Sequence, residues 1–247
     1  MSGKRYVDGS CEIVCFGRRA TVHDRRFDRY YSVGAEELAE QSIPWRSVAP
    51  AVPNWALGLF FVSLGVFVCM DATWFFRQPR VRPDLGSSIA MLAFIIANLA
   101  VHEAAHIGAM RVCGRKPSRV GLKLNYYVLP AVYVRMNQVL LLSPAERVFC
   151  HTAGIWINAA TALWFVFYCP TGPGGDVRRY IGCSFILMIM LNLMPILNSD
   201  GQKALMVIID HPEARRRVDF DRVAVAVKVI SICFLVILFA RLLFPRR

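Results

Sequence analysis

The chain has 247 residues, of which 56% are hydrophobic and 19% are charged. Its mean hydropathy of +0.43 is well above that of ordinary soluble domains, so the composition excludes a purely soluble protein. The formal net charge of +12 raises the question of a nucleic-acid partner, but the basic residues are distributed as in a membrane protein and do not form one binding stripe.

The first 54 residues form a polar and basic N-terminal arm, which we expect to be cytoplasmic. The stretches CEIVCF and RRFDRYYSV are strand-like, and GAEELAEQ is typical of a short helix. A proline-punctuated tether, SIPWRSVAPAVPNW, then leads into the first apolar segment. Because that segment begins so late, we expect no cleaved signal peptide, and the first span serves as an uncleaved anchor.

Five apolar segments follow the arm, and each is near the roughly 20 residues that a membrane-spanning helix needs. They cover residues 55–76, 88–111, 149–168, 180–199 and 223–244. The sequence therefore predicts an all-α membrane protein with about five transmembrane helices, in which residues 55–247 form one transmembrane domain.

Lysine and arginine are concentrated in alternate loops. The arm and residues 111–147 and 203–222 together carry 20 of them, whereas the intervening loops and the C-terminal end carry 7. Because cytoplasmic loops are enriched in basic residues, this asymmetry places the N-terminus in the cytoplasm and the C-terminus outside. We expect an integral, multi-pass protein of a bacterial cell membrane, with the lipid bilayer and not nucleic acid as the partner of its positive charge.

The loop between the second and third spans alternates apolar and polar residues. VGLKLNY and VLPAVYVRM are separated by a short break, and this pattern predicts a small cytoplasmic β-hairpin over residues 118–136, with Pro130 on an edge strand. The alternative is a membrane-hugging loop with no binding role.

The second span contains HEAAH, with His102, Glu103 and His106 in an otherwise apolar helix. Four residues advance an α-helix by about 400°, so the two imidazoles lie within about 40° of each other and can bind one ion. A charged group near the middle of a bilayer costs roughly 2.5–3.5 kcal/mol even on the mildest scale, so these residues indicate function. They predict a zinc site in which Glu103 accepts a proton from water.

Catalytic zinc normally has three protein ligands and one open position. Asp200 is the best candidate for the third ligand, because the second and fourth spans run in the same direction and deliver it to the side where the histidine pair lies. Asp210, His211 and Asp219 are competing candidates in a polar cytoplasmic loop.

Several other polar residues interrupt the apolar segments. Pro195 is expected to unwind the fourth helix, which a membrane tolerates only where the backbone lines a cavity or is buried in protein. Asn158, Asn192 and Asn198 either line such a cavity or make interhelical hydrogen bonds.

These motifs resemble those of the site-2 protease family of intramembrane zinc metalloproteases. HEAAH matches the family's H-E-x-x-H, NLMPILNSDG matches its N-x-x-P-x-x-x-x-D-G, and AGIWIN is similar to its A-G-P-x-x-N, with Ile155 in place of Pro. The resemblance covers residues 88–201 and implies a three-helix catalytic core. It implies the following roles: zinc ligands His102, His106 and Asp200; general base Glu103; and residues near the substrate or the oxyanion, Asn158 and Asn192.

A weaker likeness is to compact members that mature ribosomally made peptides. VGLKLNYYVLPAVYV resembles their segment before the middle core helix, and RRFDRYYSVGAEELAE resembles the leader-binding arm found in that setting. No segment between the core motifs is long enough for the PDZ domain that is frequent in the family.

We therefore expect a zinc-dependent metalloendopeptidase whose site faces the cytoplasm and which removes the leader from a precursor peptide. Two alternatives stay open. One is regulated cleavage of a membrane-anchored signalling protein, and the other is a non-proteolytic zinc-binding scaffold or transport component, against which the intact Glu103 speaks. The expected partners are a peptide or membrane-protein substrate and the lipid bilayer, and the oligomeric state is left open.

Overall fold

The structure is a computed structural model of the chain. It describes residues 3–17, 19–39, 42–79, 84–125, 129–168, 175–194 and 199–209, together with Val229.

The N-terminal arm folds into a five-stranded antiparallel sheet. Strands β1 (Gly3–Val7), β2 (Cys11–Phe16), β3 (Arg19–Asp24) and β4 (Arg29–Gly34) form a meander, and a short helix α1 (Ala35–Ala39) follows it. Strand β5 (Arg46–Val48) then returns to pair with β1, which gives the strand order β4-β3-β2-β1-β5. This sheet is here called the N-terminal sheet. Its edge strand next to β1 is β5, which comes from the tether.

Turn chemistry explains why this meander forms. The Asp8-Gly9 dipeptide between β1 and β2 is a strong hairpin signal, and the carboxylate of Asp8 accepts hydrogen bonds from the backbone N–H groups of Ser10 and Cys11, both at 2.6 Å. Gly17, between β2 and β3, has a φ of 71°, a left-handed conformation that glycine adopts without strain.

Strand β2 is buried on both faces. Ile13 packs with Ala20 and Leu38 in a small core on the α1 side, whereas Glu12 and Val14 face the helices that follow. The N-terminal sheet is therefore packed onto the rest of the chain and is not an independent flexible arm.

Three helices among the described residues are long and apolar enough to cross a membrane: α2 (Asn54–Arg77), α3 (Leu85–Val112) and α4 (Pro144–Tyr168). In the most apolar window of α4, 61% of the residues are buried by protein, compared with 17% in α2 and in α3. Helix α4 is therefore the central helix of this group, and its lower hydropathy follows from facing protein instead of lipid.

Aromatic contacts join α2 to α4 and α5 to α3. Phe60 of α2 stacks near Trp156 of α4, with ring centroids 5.8 Å apart, and the Trp156 Nε1–H donates to Oγ of Ser63 at 2.9 Å. Helix α5 (Gly175–Leu193) places Phe185 against Phe94 of α3, with centroids 5.1 Å apart. The short helix α6 (Asp200–Ile208) begins after the N-cap Ser199 and packs against α4.

The predicted hairpin is present. Strand β6 (Arg119–Asn125) pairs antiparallel with β7 (Leu129–Arg135), and Pro130 lies in β7 of this two-stranded sheet. Strand β7 packs beside α3, and a 3-10 helix (Asn137–Leu141) connects it to α4.

The prediction of an all-α protein with five spans is wrong. The arm forms a full sheet, because its short strands pair through backbone hydrogen bonds that a composition dominated by apolar helices does not reveal. Helix α5 is not among the three candidate spans, since Asp176, Arg178 and Arg179 lie in its first turns. The expected fifth segment, residues 223–244, lies outside the described residues except for Val229.

Candidate metal centre

Three side chains from distant parts of the chain converge beside α4. The Nε2 atom of His102 lies 2.9 Å from Oδ2 of Asp200, and the Nε2 atom of His106 lies 3.3 Å from the same oxygen. The two Nε2 atoms are 3.1 Å apart. All three residues are buried, so the group is shielded from bulk water.

These distances fit a shared cation. Two ligand atoms that bind one tetrahedral zinc ion at about 2.05 Å are separated by roughly 3.3 Å, and the three separations here are 2.9, 3.1 and 3.3 Å. Two imidazole nitrogens and one carboxylate oxygen are also a donor set that zinc accepts in catalytic sites. His102, His106 and Asp200 could therefore hold a zinc ion.

The backbone of α4 selects the tautomer of His106. Its Nδ1 lies 2.7 Å from the carbonyl oxygen of Cys150, and a carbonyl can only accept. The proton of a neutral His106 is therefore on Nδ1. The lone pair of Nε2 then points toward Nε2 of His102 and Oδ2 of Asp200, the other two candidate ligand atoms. This is the outer contact that metal-binding histidines usually make.

Asn158 performs the corresponding task for His102. Its side-chain amide lies 3.1 Å from Nδ1 of His102, with the amide nitrogen on that side, while its Oδ1 is buried without a hydrogen-bond partner among the described residues. Half a turn of the amide brings the oxygen to Nδ1, where it accepts the imidazole proton and is itself satisfied. That orientation is the one that frees Nε2 of His102 for a metal.

Asp200 is held at both carboxylate oxygens. Oδ2 faces the two histidines and also accepts from the Asn192 amide at 3.1 Å, while Oδ1 is paired with the ammonium group of Lys203 at 3.0 Å. The backbone N–H of Asp200 donates to Oδ1 of Asn192 at 3.2 Å. Because Oδ1 is paired with Lys203, Asp200 has only Oδ2 available as a metal ligand.

Glu103 lies beside this group without belonging to it. The structure places it half-buried on α3, close enough for the charges of His102, His106, Asp200 and Lys203 to act on it. It is not among the residues whose ligand atoms converge. A carboxylate in this position can exchange a proton with a neighbouring water without competing for the metal.

Two glycines allow the elements to approach closely enough. A Cβ on Gly154 would lie 2.4 Å from Cε1 of the His102 ring, and a Cβ on Gly201 would lie 2.0 Å from the carbonyl oxygen of Leu193. Neither position has room for a side chain. Ile155, which stands where the similar site-2 protease motif has Pro, continues α4 and is buried in the core.

The remaining expected residues divide into two groups. Asp210, His211, Asp219, Pro195 and Asn198 lie outside the described residues. Lys203 was missed by the sequence interpretation, although the spacing Asp200-x-x-Lys203 on one helix is a signal for an i, i+3 ion pair.

A buried two-histidine, one-aspartate group among apolar helices defines a membrane-associated protein with a candidate zinc site. In an alignment of 221 positions that covers 86% of this chain and 86% of the relative, the chain is 30% identical to the "Putative peptide zinc metalloprotease protein YydH" of Bacillus subtilis (strain 168). The chain belongs to the same family as this peptide zinc metalloprotease protein. No protein-family model matches the chain, and no solved structure matches it.

Proposed function

We propose that the chain is a membrane-embedded zinc metalloendopeptidase of the site-2 protease type, which removes the leader from a ribosomally made precursor peptide at a site that faces the cytoplasm. The observation that carries the proposal is the convergence of His102, His106 and Asp200 next to Glu103 in apolar helices. The name of the relative, a peptide zinc metalloprotease protein, supports the same chemistry.

The chain's own residues account for each part of a peptide hydrolysis. His102, His106 and Asp200 would hold a zinc ion, which would supply the Lewis acidity for activating water and polarising the scissile carbonyl. Glu103 accepts the proton of the attacking water and passes it to the leaving amine. Asn158 and Asn192 act as positioning residues, because each holds a ligand side chain in its binding orientation.

The location of the site suits a peptide made in the cytoplasm. The N-terminal sheet and the β6–β7 hairpin lie at the end of the helix group where α3 ends and α4 begins. These segments belong to the basic set that the positive-inside rule assigns to the cytoplasm. Strands β6 and β7 pair only with each other among the described residues, so an extended substrate can add to a free edge.

The test compares two substitutions in the purified full chain. Glu103→Gln should keep one zinc ion per chain, measured by elemental analysis, while peptide hydrolysis falls by about 10²–10⁴-fold because the general base is lost. Glu36→Gln, an exposed residue of α1, is the matched control and should change neither. Asp200→Ala should lose both zinc and activity, and full activity in that variant would refute the proposed ligand set.

The substrate is tested in cells. Mass spectrometry of peptides from cells that carry the wild type or Glu103→Gln should show the mature peptide only with the wild type. Unchanged maturation in the variant, together with accumulation of a membrane-anchored regulator, would assign the enzyme to signalling instead.

A further inference from the structure

A cavity of about 240 Å³ lies between the N-terminal sheet and the ends of α3 and α4. Its apolar wall includes Val14 and Phe16 of β2, Val48 of β5, and Leu141 and Leu142 before α4. Two guanidinium groups, those of Arg5 and Arg115, line the same space. The cavity is thus amphipathic, with room for one or two side chains.

The charges around the cavity leave a positive excess. Glu12 is the shared partner of three arginines: Arg5 and Arg115 reach its Oε1, both at 2.9 Å, and Arg25 reaches its Oε2 at 3.4 Å. The Nε of Arg5 is buried and has no hydrogen-bond partner among the described residues. Three guanidinium groups share the single carboxylate of Glu12, so this cluster has two positive charges in excess, which favours a further anionic acceptor beside Arg5 and Arg115.

The second carboxylate at the cavity is already satisfied. Oε1 of Glu146 accepts from the backbone N–H groups of Ala51 and Val52, and Oε2 accepts from the N–H and hydroxyl of Ser143. These four donors satisfy the oxygens of Glu146 but leave its negative charge. Arg5, Arg25 and Arg115 together with Glu12 and Glu146 therefore carry a net charge of +1, which still favours an anion.

We propose that this cavity binds an acidic residue and its apolar neighbour in the peptide substrate. The carboxylate pairs with Arg5 and Arg115, and the apolar side chain packs against Phe16 and Leu142. This inference rests on the proposed peptidase function and names the sequence feature that the enzyme recognises outside the scissile bond.

The position of the cavity relates recognition to cleavage. Cys113, which lines the cavity, follows His106 by seven residues on α3 and its C-cap, a rise of about 10 Å along the helix axis. An extended peptide advances about 3.3 Å per residue, so about three to five residues separate the bound acidic residue from the bond at the metal group.

The test measures binding without turnover. Full-length Glu103→Gln protein in neutral-lipid nanodiscs is titrated with a short fluorescein-labelled peptide that contains Glu-Leu pairs, and anisotropy reports binding. Peptides with Lys-Leu or Glu-Ser pairs in the same positions test the charge and the apolar contact separately. We expect each to bind at least about tenfold more weakly.

Three further substitutions locate the binding site. Arg5→Met removes a guanidinium group, and Ala49→Phe adds a large side chain at the cavity wall while both arginines are retained; each should weaken binding of the Glu-Leu peptide about tenfold or more. Arg29→Met on β4, whose guanidinium lies over the ring of Phe27 and which is not among the residues that line the cavity, is the matched control and should leave binding within about twofold. A melting curve for each variant reports folding.

The outcomes separate the two proposals. The cavity inference would be overturned if Ala49→Phe bound the Glu-Leu peptide as tightly as the protein without this substitution. It would also be overturned if all three peptides bound equally. If Ala49→Phe cleaves precursor peptides with the KM of the wild-type protein, the cavity inference is overturned and the peptidase function stands. Cavity-dependent binding by a wild-type chain that hydrolyses no peptide would instead overturn the peptidase function alone.

Discussion

At the scale of single residues, the candidate metal centre depends on the missing side chain of Gly154. Because a Cβ there would lie 2.4 Å from the His102 ring, Gly154→Ala should displace the imidazole and lower zinc content to a small fraction of the wild-type value. The matched control is Gly108→Ala on α3, where a Cβ meets nothing within 4 Å. That variant should keep its zinc and gain about 0.5–1 kcal/mol of helix stability. Equal zinc content in both variants would contradict the argument.

Lys203 makes a second prediction at this scale. Its ammonium group holds Oδ1 of Asp200, so Lys203→Met should free the carboxylate to rotate and weaken zinc binding by about 10–100-fold, the usual effect of losing an outer contact. The measurement is competition with a zinc chelator. Lys116→Met, at an exposed position after the end of α3, is the control and should leave zinc affinity unchanged. If Lys203→Met bound zinc with unaltered affinity, the ion pair between Lys203 and Asp200 would have no role in metal binding.

At the scale of elements, two aspartates of the long apolar helices have opposite effects on stability. Asp71, in the C-terminal part of α2, is 1% exposed, and neither carboxyl oxygen has a hydrogen-bond partner among the described residues. Asp84 is the N-cap of α3 and accepts from the Ser87 N–H at 2.6 Å. One acid is buried without compensation, whereas the other satisfies a helix end.

The expected effects on stability follow from that contrast. Asp71→Leu should raise the apparent Tm in detergent, because burying an uncompensated polar group costs about 1–3 kcal/mol. Asp84→Ala should lower the Tm, because the first turn of α3 loses its acceptor. A lower Tm for Asp71→Leu would show that the carboxyl of Asp71 has a role in the native protein that its contacts do not reveal.

At the scale of the whole molecule, Glu12 connects the N-terminal sheet to the helices through Arg115. Burial alone would raise the pKa of the Glu12 carboxyl, but the hydrogen bond and charge of Arg115 and the charge of Arg5 hold this pKa below its ordinary value. A lowered pKa contributes stability above the unfolded value of about 4.3, and that stability is lost as the pH falls through the folded value. The contact between the N-terminal sheet and the helices should therefore be stable at neutral pH and become weaker in acid.

Hydrogen exchange in β1 and β2 measures this docking. Glu12→Gln should increase exchange at neutral pH, since removing the shared partner of three arginines costs about 3 kcal/mol. Glu36→Gln, on the exposed side of α1, should leave the exchange unchanged. If Glu12→Gln exchanged like the wild type, the contact between sheet and helices would rest on apolar packing alone.

Local patterns in the sequence were sufficient for the features that a single helix or hairpin determines. The apolar segments predicted α2, α3 and α4 to within a few residues, and period-2 alternation predicted the β6–β7 hairpin. The four-residue spacing of His102 and His106 places both imidazoles on one face whatever surrounds the helix. These features depend on contacts between near neighbours, which sequence periodicity reports directly.

The tertiary structure decided whatever depends on residues far apart in the chain. The Nδ1 contact of His106 with the Cys150 carbonyl joins α3 to α4, and the hydrogen bond of the Asn192 amide to Asp200 joins α5 to α6. The return of β5 to β1 completes a sheet that the strand-like stretches alone did not predict. A hydrogen bond between distant residues leaves no periodic trace in the sequence, because its partner is chosen by packing and not by position along the chain.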